Sequence, residues 1–418
     1  MKKLARTDDN IKLKSDNLEA VMIENLDTKV ALIQALIPIG LEYVQEMLQQ
    51  EVTHLAGPRY VRREASGTGN YRWGKQGGSI YLGDQKVAIK VPRVRKAETG
   101  QEVPLESYKK LQKPAGLDEK LLLKVLYGLS SHQYEKVAET VPESFGLSAS
   151  SVSRRFIKSS KNKLKDLEER RLEKYDFVSI LLDGKSLADE EVLIAVGITL
   201  EGEKIILGFV QTASENARVC KEFLTDLIER GLCYQQGLLF VIDGSKGIRK
   251  AIEDVFGDYA AVQRCQWHKR ENVVAYLPKN KQKNMRKKLQ KAYEEPTYER
   301  AVQSLERIRT ELKLLNESAV RSLDEGLEDT LTLHRLGLFE ELGISLKTTN
   351  CLESINGQVA RFTRRVTYWK NSNQRRRWVA CALLEIEKGL RKIKGYRHLP
   401  MLRKSLQREL QIQNQLAA

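Results

Sequence analysis

The side chains of this sequence best suited to chemistry are three carboxylates. Two short apolar runs each end in aspartate and glycine, Val178-Ser179-Ile180-Leu181-Leu182-Asp183-Gly184 and Leu238-Leu239-Phe240-Val241-Ile242-Asp243-Gly244. Far downstream, Asn350-Cys351-Leu352-Glu353-Ser354 reads as helix. About five aliphatic residues closed by Asp-Gly is the pattern of a buried strand whose end meets water. One such pair is explained well enough as a turn. Two of them, with a glutamate to follow, form a candidate metal-binding triad of Asp183, Asp243 and Glu353. Two carboxylates about 4 Å apart repel by about 4 kcal/mol at an effective dielectric of about 20, a conflict that a divalent cation resolves. Two Mg²⁺ ions about 3.5–4 Å apart, with Mn²⁺ as substitute, would bind the attacking and leaving oxygens of an in-line displacement at a DNA phosphodiester.

The segments around these residues supply the elements that would position them. Residues 178–182, 191–199 and 203–211 read as three consecutive strands, with Glu201-Gly202-Glu203 as a tight turn. A helix over 214–231 follows, with Thr212-Ala213-Ser214-Glu215 as capping box and Phe223, Leu224, Leu227 and Ile228 at helical spacing. Next come strand 238–242, helix 246–256, strand 260–265, a long polar helical stretch to about 335, and a last helix carrying Glu353. Three antiparallel strands and then βαβ units is the ribonuclease-H-like order. In it the first and fourth strands are parallel neighbours, so Asp183 and Asp243 would project from one edge. The expected fold class is α/β: a ribonuclease-H-like catalytic core with a helical insertion. A mainly α-helical DNA-binding N-terminal region, with a helix-turn-helix and a small β hairpin, is expected to precede it.

Cationic residues point to a nucleic-acid substrate. Lys and Arg total 71 against 55 Asp and Glu, for a net charge of +16. Residues 361–404 alone hold 14 Lys and Arg against two acids. There Arg361, Arg364, Arg365, Lys370, Arg375, Arg376 and Arg377 are interleaved with Tyr368, Trp369 and Trp378, a mixture suited to phosphate contacts and base stacking. For any single arginine a solvated helical face explains as much; the cluster is read as DNA-binding. Upstream, 118–127 and 131–141 read as helices, and Gly146-Leu147-Ser148 leads into a second helix capped by Ser148. Read as a helix-turn-helix, this puts Ser150, Ser151, Ser153, Arg154 and Arg155 in the major groove. An ordinary αα-hairpin shares the spacing. Earlier still, 28–55 is an amphipathic helix interrupted near Pro38, and strands 79–82 and 86–91 are joined by Gly83-Asp84. Arg59, Arg62, Arg63, Arg72, Arg93 and Arg95 are either DNA-end contacts or plain surface.

Four segments together resemble the Mutator-type bacterial insertion-sequence transposases, which are DDE recombinases. They are Leu182-Asp183-Gly184, Val241-Ile242-Asp243-Gly244, Arg264-Cys265-Gln266-Trp267-His268-Lys269-Arg270-Glu271-Asn272 and Thr349-Asn350-Cys351-Leu352-Glu353-Ser354-Ile355-Asn356. The resemblance covers nearly the whole chain. The interval from Asp243 to Glu353 leaves room for the helical insertion that the family carries, and Cys265 to His268 looks like its Cys/Asp-x-x-His signature. The resemblance implies Mg²⁺-dependent strand cleavage and strand transfer, terminal inverted repeats and target DNA as double-stranded substrates, and a homodimer or larger synaptic assembly.

Three readings of Cys265 and His268 stay open. As zinc ligands they supply only two donors, and the five cysteines and five histidines offer no second pair at ligand spacing. They also fit a buried core pair. The reading carried forward is catalytic, with His268 contacting the scissile phosphate or orienting a metal ligand. Trp267 is either a stacking platform for an unpaired base or core.

At 418 residues, 41% hydrophobic and 30% charged, the chain is globular and long enough for two to four domains. The expected division is 1–110 (DNA binding and dimerisation), 111–173 (helix-turn-helix), 174–268 (core), 269–339 (insertion), 340–395 (core with Glu353) and 396–418 (basic tail). No apolar run approaches a membrane span, and Asp8-Asp9 stands where a secretory signal needs apolar residues. Five cysteines without a framework spacing fit a reducing cytoplasm. No small-molecule substrate is expected. Two other classes remain: a ribonuclease-H-like structure-specific nuclease, and a transposase-derived DNA-binding regulator that would not need the triad.

Overall fold

A computed structural model describes residues 26–60, 68–82, 85–112, 117–128, 144–145, 149–187, 190–212, 216–364, 366 and 368–410. The chain divides into two compact units, Met1–Phe156 and Ile157–Ala418.

In the first unit, helix α1 (Leu26–Ala56) precedes strands β1 (Asn70–Leu82), β2 (Gln85–Lys96) and β3 (Glu102–Val103). Helices α2 (Glu106–Gln112) and α3 (Leu117–Leu126), the short β4 (Ser144–Phe145) and the start of α4 (Ala149–Glu168) complete it. Val44, Leu48, Val52 and Ala56 recur every four residues on α1 and bury against Ile80, Ile89, Val91 and Val94 of the hairpin. Helix α1 runs unbroken through Pro38, against the expected interruption. A proline removes one hydrogen bond from a helix, a local loss that the packed turns beyond it outlast. The hairpin is also longer than expected, pairing Asn70 with Lys96 at one end and Leu82 with Gln85 at the other.

The second unit is built on a five-stranded sheet, order β7-β6-β5-β8-β9. Strands β5 (Phe177–Leu187), β6 (Glu190–Thr199) and β7 (Lys204–Thr212) form antiparallel hairpins. β8 (Leu238–Ile242) and β9 (Ala260–Arg264) lie parallel to β5. Helices α5 (Ala217–Glu229) and α6 (Lys246–Phe256) make the crossovers. The expected capping box does not start α5: Thr212 belongs to β7, and Asn216 caps the helix, its side-chain oxygen accepting from the Arg218 N–H at 2.9 Å.

Strand alternation sorts the side chains into two layers. Ile180, Leu182, Phe240 and Ile242 face α5 and α6, packing on Phe223, Leu227, Ile248 and Phe256. Leu181, Leu239 and Val241 face the C-terminal helices. Between the two parts of this core, the polar stretch forms helices α7 (Gln266–Ala275), α8 (Lys279–Tyr293), α9 (Tyr298–Lys313), α10 (Glu317–Asp324), α11 (Leu327–Thr330) and α12 (Thr332–Arg335). It has its own core: Ala301, Leu305, Ile308 and Leu312 of α9 meet Leu289 and Tyr293 of α8 and Val320 and Leu323 of α10. Each fully buried leucine there contributes about 1.5–3 kcal/mol. The chain then rejoins the sheet through α13 (Phe339–Leu346), α14 (Asn350–Thr363), α15 (Ser372–Glu387) and α16 (Leu399–Glu409). No helix among the described residues is long and apolar enough to cross a membrane.

Candidate active site

Asp183 does not end its strand. β5 continues to Leu187 because its antiparallel partner β6 runs on beside it, with Asp183 opposite Ile194 and Leu187 opposite Glu190. Its parallel partner stops sooner, since the last β5–β8 pair is Leu182 with Ile242. Asp183 and Asp243 are therefore the next residues along two adjacent strands. Continuing the alternation of Leu181 and Val241, both fall on the face covered by the C-terminal helices. Asp183 is 6% exposed. Asp243 is half-buried and its Oδ1 accepts the Ser245 N–H at 2.9 Å, while the Ser245 hydroxyl caps α6 at the Ile248 N–H. This Asx turn fixes one carboxylate oxygen and leaves the other uncommitted to it.

Glu353 lies in the first turn of α14, where the helix dipole favours a negative charge. The inward face of that helix, Leu352, Ile355 and Val359, packs in the same layer as Leu181 and Val241. The Glu353 side chain is 43% exposed, and its Oε1 stands 3.7 Å from His268 Nε2. The other ring nitrogen of His268 hydrogen-bonds the Thr349 hydroxyl at 3.4 Å, and that hydroxyl donates to the buried Cys265 sulfur at 3.7 Å. The imidazole pKa is pushed up to about 9, by its hydrogen bond with Cys265 first and then by the fields of Asp183 and Asp243, against the opposing effect of burial. Burial raises the Cys265 thiol, but hydrogen bonding to His268 and the imidazole charge outweigh it and leave the thiol below its ordinary range. His268 is thus the group that all three carboxylates act on, two through space and one by contact.

Among the described residues no three His, Cys, Asp or Glu side chains converge closely enough to hold a metal ion as they stand. Cys265 and His268 have Thr349 as their neighbour rather than a second ligand pair. Trp267 is 42% exposed and meets the His268 ring edge-on at 4.9 Å.

The rest of the segment around His268 has a role that sequence reading missed. Gln263, Arg264, Gln266 and Lys269 are buried polar residues whose side chains fasten the returning end of the insertion. Gln263 and Gln266 both donate to the Thr330 carbonyl at 2.9 Å, and Gln263 Oε1 accepts the Leu333 N–H. Arg264 donates to the Glu325 carbonyl at 2.7 Å, and Lys269 donates to the same oxygen. The available signal was a run of polar side chains where β9 passes into α7, where burial demands partners.

The basic residues divide. Arg361 and Arg364 are exposed, whereas Arg365 lies outside the described residues. Trp369 packs edge-on against the buried Trp378 at 6.4 Å. Arg375 is buried, its guanidinium donating to Glu190 at 2.8 Å, which makes it part of the fold rather than an open phosphate contact. Arg376 is exposed and paired with Glu168, and Arg377 is half-buried. In the first unit Arg154 is exposed, with its Nε donating to the Ser150 carbonyl. Arg155 stacks over Tyr81 and donates to its hydroxyl at 2.7 Å. Ser151 lies in α4, but its side chain is not described. The expected first helix over 131–141 and the turn at 146–148 lie outside the described residues.

Comparison with known proteins places these features in a lineage. The family model described as "Transposase, Mutator family" matches residues 11–391. The chain is similar to the transposase for insertion sequence element ISRM5 of Rhizobium meliloti (strain 1021), at 27% identity over 86% of this chain and 89% of that protein. It is similar to the transposase for IS256 in transposon Tn4001 of Staphylococcus aureus, at 27% identity over 71% and 76%. It is also similar to the transposase for IS905 of Lactococcus lactis, at 25% identity over 80% and 85%. With a family model spanning most of its length, the chain belongs to the Mutator family of transposases.

Proposed function

We propose that this protein is a DNA transposase that cleaves the ends of an insertion sequence and joins them to new DNA by a DDE mechanism on a ribonuclease-H-like core. The observation that carries this reading is the environment of His268. Asp183 on β5 and Asp243, the residue after the neighbouring parallel strand β8, both act on its imidazole, and Glu353 lies against it. Three carboxylates around one imidazole would offer the hard oxygen donors that Mg²⁺ prefers. Asp183, Asp243 and Glu353 would hold the ions. Mg²⁺, with Mn²⁺ as substitute, would supply activation of the attacking oxygen and charge compensation at the leaving oxygen.

The chain's own residues do the positioning. Asp243 is held by its turn onto Ser245, Asp183 by the β5–β6 ladder, and Glu353 by the first turn of α14. His268, its imidazole pKa pushed up, stands 3.7 Å from the Glu353 carboxylate and would hold it in place. In the first step water displaces the 3′ oxygen from phosphorus, leaving a 3′-hydroxyl and a 5′-phosphate. In the second that hydroxyl attacks a phosphodiester of the target, loses its proton and expels a target 3′ oxygen, which gains one.

Arg361, Arg364 and Arg376 with the exposed Tyr368 are the proposed grip on DNA backbone, and Arg154 on the exposed side of α4 is the proposed base reader. Terminal inverted repeats are the proposed substrate, a dimer or larger synaptic complex the working assembly, and the bacterial cytoplasm the site of action. The test is incubation of purified protein with a labelled end fragment and a target plasmid, with Mg²⁺ or with chelator. End cleavage and joined product in Mg²⁺ only are expected; neither product appearing with any divalent cation would refute the reading.

A further inference from the structure

We infer that Arg264 is a positioning residue that ties the loop of Asp243 to the turn ending the helical insertion, so that the two move as one piece. Arg264 is the last residue of β9, paired in register with Ile242 of β8. Its side chain is 9% exposed and runs between two glycines in left-handed backbone conformation, Gly244 at φ +114° and Gly326 at φ +65°. A Cβ on Gly244 would lie 2.7 Å from the guanidinium carbon, and a Cβ on Gly326 would lie 2.8 Å from Nη1. Neither position has room for a side chain while the guanidinium stays. The same Nη1 donates to the Glu325 carbonyl at 2.7 Å. Gly244 directly follows Asp243, and Gly326 starts α11 at the end of the insertion.

The planar guanidinium suits this place because one rigid group fills the gap between two backbones and still donates at its edge. Lysine carries a single point of contact and no plane. Two surface ion pairs run parallel to the same connection, Lys246 with Glu325 at 2.9 Å and Arg249 with Asp329 at 2.7 Å. The exposed Lys246–Glu325 pair adds little to stability, while Arg249, half-exposed, is a second tie to the 20% exposed Asp329; Arg264 is the buried link between the two backbones. Lys269 is the internal contrast. It reaches the same Glu325 carbonyl, and among the described residues no hydrogen bond or ion pair joins it to the Asp243 loop. The consequence for catalysis rests on the proposed metal-ligand role of Asp243; the mechanical coupling does not.

Hydrogen exchange on the metal-free full-length protein tests the coupling, comparing Arg264→Lys, Gly326→Ala and Lys269→Met with the parent. Arg264→Lys is expected to speed exchange about tenfold in both 243–249 and 325–331. Gly326→Ala lies in the insertion, yet it is expected to loosen 243–249 as well, and it decides the matter should Arg264→Lys not fold. Lys269→Met is expected to loosen 325–331 only. Unchanged exchange at 243–249 in the folded Arg264 and Gly326 variants overturns the inference. Mn²⁺ titration followed by electron paramagnetic resonance separates it from the functional reading. Arg264→Lys should weaken Mn²⁺ binding about tenfold, and Asp243→Asn should weaken it at least as much. Parent-like Mn²⁺ binding by Asp243→Asn refutes the metal-ligand role and leaves the exchange result to judge the coupling.

Discussion

Nε2 of His268 faces Oε1 of Glu353 at 3.7 Å, joining the start of α7 to the first turn of α14 across the returning chain of the insertion. The contact gives His268 something to do other than fill the core. His268→Ala is expected to fold and to bind end DNA, and to cleave about 10–100-fold more slowly, the usual loss when a group that orients a ligand is removed. Single-turnover cleavage with a melting curve separates the roles. A variant that melts much lower yet cleaves at the parent rate in the cold would mark His268 as a core residue.

The burial of Arg375 and the exposure of Arg361 and Arg364 predict opposite phenotypes for chemically identical substitutions. Arg375→Ala removes the guanidinium from Glu190, leaving that carboxylate the Ser372 hydroxyl, and is expected to cost about 1–3 kcal/mol of stability. Arg361→Ala with Arg364→Ala is expected to leave melting unchanged and to lower the slope of log affinity against log salt by about 1.8, for two phosphate contacts. Chemical denaturation and salt titrations of DNA binding check both.

Arg154 and Arg155 are adjacent yet differently placed, the first exposed on α4 and the second stacked on Tyr81. Arg154→Ala is expected to narrow the preference for element ends over random DNA by about 1–3 kcal/mol, since base contacts specify. Competition binding against random duplex is the measurement; an unchanged preference would remove Arg154 from base reading.

His334 makes stability depend on pH. Burial pushes its pKa down to about 4, with Nε2 against the Glu295 carbonyl and the ring stacked on Phe339. Between about 6.5 and about 4 the unfolded chain binds a proton that the folded chain refuses, so stability falls as pH falls through that window, by up to about 3 kcal/mol. His334→Gln is expected to flatten this part of the stability–pH curve. An equally steep fall in the variant would assign it to other groups.

Much of the core was legible because its signals are local. The apolar run of β8 and the helical repeat of α6 are so clear that 238–242 and 246–256 coincide with the observed elements. The parallel pairing of β5 with β8 followed from element order. What escaped depends on partners distant in sequence. β5 outruns Asp183 because β6 stays beside it, Thr349 enters the site only when α14 docks near α7, and Arg375 is buried by Glu190. The polar residues around Cys265 bond to backbone carbonyls and an amide more than 50 residues away, which no spacing pattern encodes.

The central claim is that Asp183, Asp243 and Glu353 together perform the chemistry. Asp183→Asn, Asp243→Asn and Glu353→Gln each keep side-chain shape and remove one charged oxygen ligand. The measurement is cleavage of a labelled element end in Mg²⁺, run beside a gel-shift on the same protein. All three variants are expected to bind the end like the parent and to leave it uncut. Cleavage near the parent rate by any one of them would contradict the account at that residue.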